Sequence, residues 1–190
     1  MIDVDKAATA VADLLVALRV EEDDHTRSTP GRVALALAEM LQGYDEDPLS
    51  YLKRQFSAPL DPGLIVVSGI RLTSTCAHHL LPITGTATVA YRPQPGYPIV
   101  GLSKLARVVH GYALRLQVQE RIGHQVTTAV QEALKPLGSA CVITAAHACM
   151  TMRGVGQLAA LTTTQALAGE WTSGHPDVVT LLSAHSRSLP

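Results

Sequence analysis

The chain has 190 residues, 47% of them hydrophobic, 16% charged and only 4% aromatic, with a formal net charge of −1. That length suits one domain with a real core, built mostly from Ala, Val and Leu. The near-neutral balance argues against nucleic acid and against a membrane surface as partners, and no run reaches the roughly 18 apolar residues of a spanning helix.

The opening "MIDVDKAATAVADLL" is acidic before its apolar part and does not read as a signal peptide. Three cysteines in a chain of this length are no disulfide framework, so a reducing cytoplasm is the expected setting. A low-charge, Ala-rich chain also needs somewhere to hide apolar surface, and an interface between copies is one place.

In chain order, residues 5–19 carry Ala8, Val11, Leu14, Leu15 and Leu18 at helical spacing. "STPGRVALALAEMLQGY" predicts a second helix, capped by Ser28 or Thr29 with Pro30 in its first turn and ending at Gly43. Residues 47–56 read as a short helix. "DPG" at 61–63 is a turn between that helix and "LIVVSGIRLTST", a strand, and "TGTATVAYRP" is a second strand antiparallel to it. After the loop "QPGYP", Ser103 is expected to cap a helix to about Leu116, followed by another over 118–135. "SACVITAAHACMTMR" predicts a third strand, "LAALTTTQALAGE" a fourth, and His175 to His185 a terminal helix. Strands and helices segregated this way point to α+β with an antiparallel sheet.

"STCAHHLLP" places Cys76, His78 and His79 within four positions. Side chains alternate faces along a strand, so a regular third strand would put His147, Cys149 and Arg153 on one face. Cys76, His79 and Cys149 would then be three metal ligands, leaving a fourth position for water as in catalytic zinc sites. A nucleophile with its base remains a rival reading, as does a polar knot in a core. Cys141 shares that face but lies about 26 Å along the strand from Cys149, and reads as a small core hydrophobe. In "VGLSKLARVV", Lys104 and Arg107 follow Ser103 at a helix start, where cations oppose the dipole unless an anion binds there. A solvated surface turn is the bland alternative. Glu120 reads by itself as an exposed carboxylate at a helix start.

"STCAHHLLP", "GLSKLARVV", "LQVQER" and "HACMTMRG" together resemble the GTP cyclohydrolase I family, from about Thr29 to the end. The resemblance implies a tunnelling fold: an antiparallel four-stranded sheet with helices on one face. It implies an N-terminal helical segment over 1–60 and a catalytic region over 61–190, within one domain. It further implies five sheets closing into a barrel and two rings stacking into a homodecamer, with sites between subunits. Cys76, His79 and Cys149 would bind Zn2+. His78 and His147 would be acid–base histidines, with Ser103 moving protons in later steps. Gln119 and Glu120 would read guanine. Lys104, Arg107, Arg153 and, from a neighbouring subunit, Arg32 would hold the ribose and triphosphate. The implied reaction opens the imidazole ring of GTP, releases formate and recloses the skeleton as 7,8-dihydroneopterin triphosphate, the entry to pterin synthesis.

Three positions depart from the family's pattern. Ala77 stands where a Glu is usual, Leu35 where many members have a phosphate-gripping Lys, and Gly156 and Gln157 where charged residues are common. These departures leave open a paralogue of specialised metabolism that acts on another guanine nucleotide or stops at an earlier product. The nitrile reductases of queuosine synthesis share the implied fold but use a nucleophilic Cys and NADPH, and the Cys-x-x-His pair with its distant Cys argues against them. A decayed, non-catalytic paralogue is disfavoured because ligands and both histidines are intact.

Overall fold

A computed structural model describes residues 2–189; the outermost residue of each expected region, 1 and 190, lies outside it. Two helices come first, α1 (Val4–Ala17) and α2 (Thr29–Met40), then 3-10 turns at Gln42–Asp45 and Pro48–Lys53. There follow β1 (Gln55–Phe56), β2 (Ile65–Cys76), β3 (Pro82–Arg92), β4 (Ile99–Val100), α3 (Leu102–Ala113), β5 (Leu116–Gln117) and α4 (Gln119–Leu134). The chain ends with β6 (Gly138–His147), α5 (Ala148–Thr151), β7 (Thr162–Gly169) and α6 (Pro176–Arg187). No helix among the described residues is long and apolar enough to cross a membrane.

The main sheet runs β5-β2-β3-β6-β7. Its four long strands are antiparallel, as the sequence pattern predicts, and β5 adds a short parallel edge beside the end of β2. β1 and β4 form a separate two-residue pair. The fold is therefore mixed α+β, with one more strand in the main sheet than expected.

Alternation sorts each strand's residues to two faces. Ala87, Val89 and Tyr91 of β3, with Cys141, Ile143 and Ala145 of β6, join the larger core under α3 and α4. On α4 the residues Ile122, Val126, Val130 and Leu134 recur at helical spacing and are buried there. Each contributes about 1.5–3 kcal/mol relative to exposure. Ala90, Ala140 and Val142 face the other way, against Trp171 and against Val178 and Leu181 of α6. Helices thus cover both faces, not one. The terminal helix needs an apolar partner for Val178 and Leu181, and only the second face has space left.

A β-bulge in β2 decides which side of that strand meets the larger core. Val67 pairs with Val89 but Ile70 pairs with Ala87, so β2 carries one extra residue there. Gly69, at φ +71°, supplies the left-handed conformation. An inserted residue swaps the face of everything after it. Ile65 and Val67 lean on the larger core before the bulge, and Ile70, Leu72 and Cys76 do so after it.

Two elements end differently from expectation. β6 stops at His147 instead of reaching Arg153, because its β-branched residues end at Thr144 and the Ala-Cys-Met run coils into α5. Ser103 does not cap α3. The helix begins two residues earlier, with Gly101 in extended conformation at the cap position and no side-chain cap bond.

The α1–α2 pair packs mainly on itself. No residue of α1 is buried, and Leu14, Val16 and Leu18 stay exposed in the single chain.

α6 is pinned at both ends. Asp177 accepts two hydrogen bonds from Arg92, at 2.6 and 2.7 Å, and these hold its carboxyl below the usual range. His185, 4% exposed, places Nδ1 2.9 Å from the Thr88 hydroxyl and Nε2 2.9 Å from that of Thr144. Burial lowers its pKa from the ordinary 6.5. The unfolded chain therefore binds this proton more readily. The contribution is intact above pH 6.5 and is lost as pH falls toward the lower folded value. Thermal melts of the wild type should show the midpoint dropping between pH 7 and pH 5, and His185→Gln should flatten that dependence. An unchanged slope in the variant would remove His185 as its source.

Candidate active site

Three strand ends lie side by side, and the site forms there. Ile83 of β3 stands opposite Ser74 of β2 on one side and His147 of β6 on the other. Cys76 ends β2 buried, on the core-facing side set by the bulge. The chain then turns tightly. The amides of His79 and Leu80 donate to the Cys76 carbonyl, and the Cys76 amide donates to Leu81. Leu80 adopts φ +56°, unusual for a branched residue. This turn folds His79 back until its Nδ1 is 3.8 Å from Cys76 Sγ.

Cys149 arrives from the other side on α5 and packs against the same core. The expectation of a continued strand was wrong, yet the helical turn delivers the residue. One ligand atom each from Cys76, His79 and Cys149 lie within 4.8 Å of one another. With Zn–S near 2.3 Å and Zn–N near 2.0 Å, the edges of a tetrahedral site run roughly 3.5–3.8 Å. The His79–Cys76 spacing already matches, and small side-chain movements close the rest. Two thiols and an imidazole suit zinc by chemistry as well. Burial, and then the neighbouring Cys76, raise the Cys149 pKa. Cys141 is fully buried in the core and its thiol is pushed up to about 12, which agrees with an inert hydrophobe.

β5 places the next group. Leu116 and Gln117 pair with Thr75 and Cys76, and the Gln117 carbonyl accepts from the Ala77 amide. α4 begins two residues later, so its first turn opens beside the cysteine. Glu120 is exposed in that turn, and its charge favours protonated His147, opposing the burial that lowers the histidine's pKa. Gln119 differs from expectation. It is 1% exposed and both ends of its amide are engaged with protein groups, including His147 Nε2 at 2.8 Å. His78 is exposed, with its ring edge-on to His79 at 6.2 Å. Arg153 Nη1 lies 3.4 Å from His79 Nε2.

Other expected residues are not gathered here within one chain. Ala113, at the C-terminal end of α3, accepts from Ser74 near the cysteine, while Ser103 lies ten residues earlier, about 15 Å up the helix. Ser103 and Lys104 thus sit at the opposite end of α3, just after Gly101 and Leu102, which line a cleft with Ile65 at the start of β2. Arg107 rests over the Tyr51 ring at 5.8 Å. Arg32 is exposed on α2.

Sequence reasoning missed the holders of Gln119: the Ile143 carbonyl, the Thr162 carbonyl and the Thr164 hydroxyl. Two are backbone atoms, which no residue type announces.

Comparison with known proteins gives the same direction. The family model described as GTP cyclohydrolase I matches residues 7–185. A protein named GTP cyclohydrolase 1 from Chlorobium phaeovibrioides is 48% identical over 145 residues, 76% of this chain and 64% of its own length. One of the same name from Carboxydothermus hydrogenoformans is 44% identical over 170 residues, 89% of this chain and 88% of its own. Another from Thermobifida fusca is 43% identical over 175 residues, 92% of this chain and 84% of its own. With a family model spanning nearly the whole chain and relatives this similar along most of it, the chain belongs to the GTP cyclohydrolase I family.

Proposed function

We propose that this chain opens the imidazole ring of GTP by hydrolysis, releases formate and yields 7,8-dihydroneopterin triphosphate. The observation that carries the reading is the convergence of Cys76, His79 and Cys149 beside His147 and Glu120. The names of the relatives support the substrate.

Cys76, His79 and Cys149 are the residues that would hold zinc. Bound there, zinc supplies Lewis acidity that brings the pKa of water near neutrality. The protein's own groups do the rest. Glu120 accepts two N–H bonds from the guanine edge and so fixes which base enters. One water adds at C8 and the first C8–N bond breaks to leave a formamide. A second water cleaves the remaining C8–N bond so that C8 departs as formate, and the later ring closure gives one water back. His78 donates a proton at N7 as negative charge builds there, and its exposure lets it reload from solvent. His147, whose pKa burial lowers, stays neutral near pH 7 and can take up protons in the later rearrangement.

Phosphate binding then needs a second chain. Ser103, Lys104 and Arg107 lie away from the cysteines in their own chain, and Arg32 lies on the helical pair. A homo-oligomer, a decamer by family resemblance, would bring one copy's cations to another's metal centre. The uncovered apolar residues of α1 support such an assembly. Arg153 is the one phosphate or ribose candidate already beside the metal ligands.

A less phosphorylated guanine nucleotide is the second reading. It is favoured by Leu35, which is 56% exposed one turn beyond Arg32 and offers no charge.

Purified protein should contain one zinc per chain. Cys76→Ser and Cys149→Ser should lose metal and formate release together, because two ligands hold zinc poorly, while Cys141→Ser keeps both. Zinc retained at full occupancy in Cys149→Ser would overturn the third ligand.

Incubation with GTP, GMP and guanosine, followed by mass analysis, should yield the dihydroneopterin skeleton and formate from GTP. Glu120→Gln should lower that turnover by at least about a hundredfold with zinc content unchanged. Undiminished turnover would take Glu120 out of the site.

Leu35→Lys should stay folded, since the position is exposed. A charge-assisted phosphate contact is worth about 1.5–3 kcal/mol, roughly ten- to a hundredfold in binding. KM for GTP should therefore fall more than KM for GMP. An unchanged ratio would show that this position does not meet the substrate.

A further inference from the structure

Gln119 is the most constrained polar side chain next to the site. Its Nε2 lies 3.0 Å from each of three oxygens, the Ile143 carbonyl, the Thr162 carbonyl and the Thr164 hydroxyl. Two of these are carbonyls, which only accept. The amide end that faces them must therefore be the NH2 group, and the flip of the side chain is decided by its surroundings. The remaining end, Oε1, sits 2.8 Å from His147 Nε2. An amide oxygen cannot donate either, so His147 must carry its proton on Nε2. In a neutral imidazole the lone pair is then on Nδ1, and that nitrogen makes no hydrogen bond to the described residues.

We propose that Gln119 is a positioning residue. It locks His147 as the Nε2–H tautomer and orients the ring, so that Nδ1 is the nitrogen that exchanges protons with the substrate. The proposal rests on the reading of His147 as an acid–base group. It divides two adjacent residues of α4 between two tasks. Gln119 points into the protein and sets the base, while Glu120 points outward to the nucleobase. Glu at position 119 would set a carboxylate against two carbonyl oxygens. An apolar residue would leave the Nε2–H of His147 without an acceptor. Only an amide meets donors and acceptors at once. The holders belong to β6 and β7, so the sheet itself fixes the tautomer.

The test begins on the unsubstituted, zinc-loaded protein with ring-15N histidine. His147 is identified by the signals lost in His147→Ala. Near pH 8 its Nε2 should resonate as a protonated nitrogen and its Nδ1 as an unprotonated one. The opposite pattern would overturn the proposal without any variant at Gln119 needing to fold. Kinetics supply the second arm. Gln119→Met should lower kcat roughly ten- to a hundredfold, the usual range for groups that orient a site, with KM and zinc content nearly unchanged. In the His147→Ala background the same change should have no further effect on kcat, because Gln119 acts through that ring. Equal losses in both backgrounds would mean that Gln119 is merely structural. A loss confined to KM would return it to reading the nucleobase, and either result overturns the proposal. Full turnover in His147→Ala would instead remove His147 from the chemistry, and the ring spectrum tells that failure from a wrong tautomer.

Discussion

The register of three strands carries the rest of this structure. Ile83 lies between Ser74 and His147, so the end of β2, the start of β3 and the end of β6 are level. A tight turn after Cys76 and a single helical turn after His147 are then enough to close three donors on one point. A slip of one residue in either pairing would send those side chains to the opposite face. The bulge at Gly69 belongs to the same constraint. Without its extra residue, Thr75 rather than Cys76 would face the core beneath α3 and α4.

The two faces of the sheet then take separate work. The face under α3 and α4 ends in the donor cluster, and Cys149 packs directly on that core. The other face is stitched to α6 through hydroxyls on His185 and the Arg92–Asp177 pair. Packed strands anchor the segments that carry the donors: Cys76 ends β2, His79 follows in the turn and Cys149 follows β6 on α5. The cations proposed to hold phosphate lie elsewhere, on α2 and toward the far end of α3. A single chain thus presents a cluster of two thiols and an imidazole with Glu120 nearby at one end, and cations at another.

Much of this was legible in residues. Strand-type stretches beside the "DPG" turn marked β2 and β3, and helical spacing marked α1. The Cys-x-x-His pair announced two of the three clustered donors. What stayed hidden had physical causes. The Ala-Cys-Met run after His147 has no strong local preference, so extrapolating the strand brought Cys149 to Cys76 and His79 through the wrong backbone. Ser103 has the chemistry of a cap, but Gly101 was free to start the helix earlier. β5 is two residues long and exists only because the end of β2 offers an open edge. The resemblance points Gln119 at guanine, and residue type says nothing about which way a helix start is turned; in the fold its amide is held by protein groups.

The functional reading turns on Cys76, His79 and Cys149 acting as one three-ligand metal centre. X-ray absorption at the zinc edge, on protein loaded with one zinc per chain, reads that shell directly. Two sulfur scatterers are expected at about 2.3 Å, with nitrogen or oxygen scatterers at about 2.0–2.1 Å completing a four-coordinate shell. A shell with one sulfur or none, or with four, would contradict a centre built from these three residues.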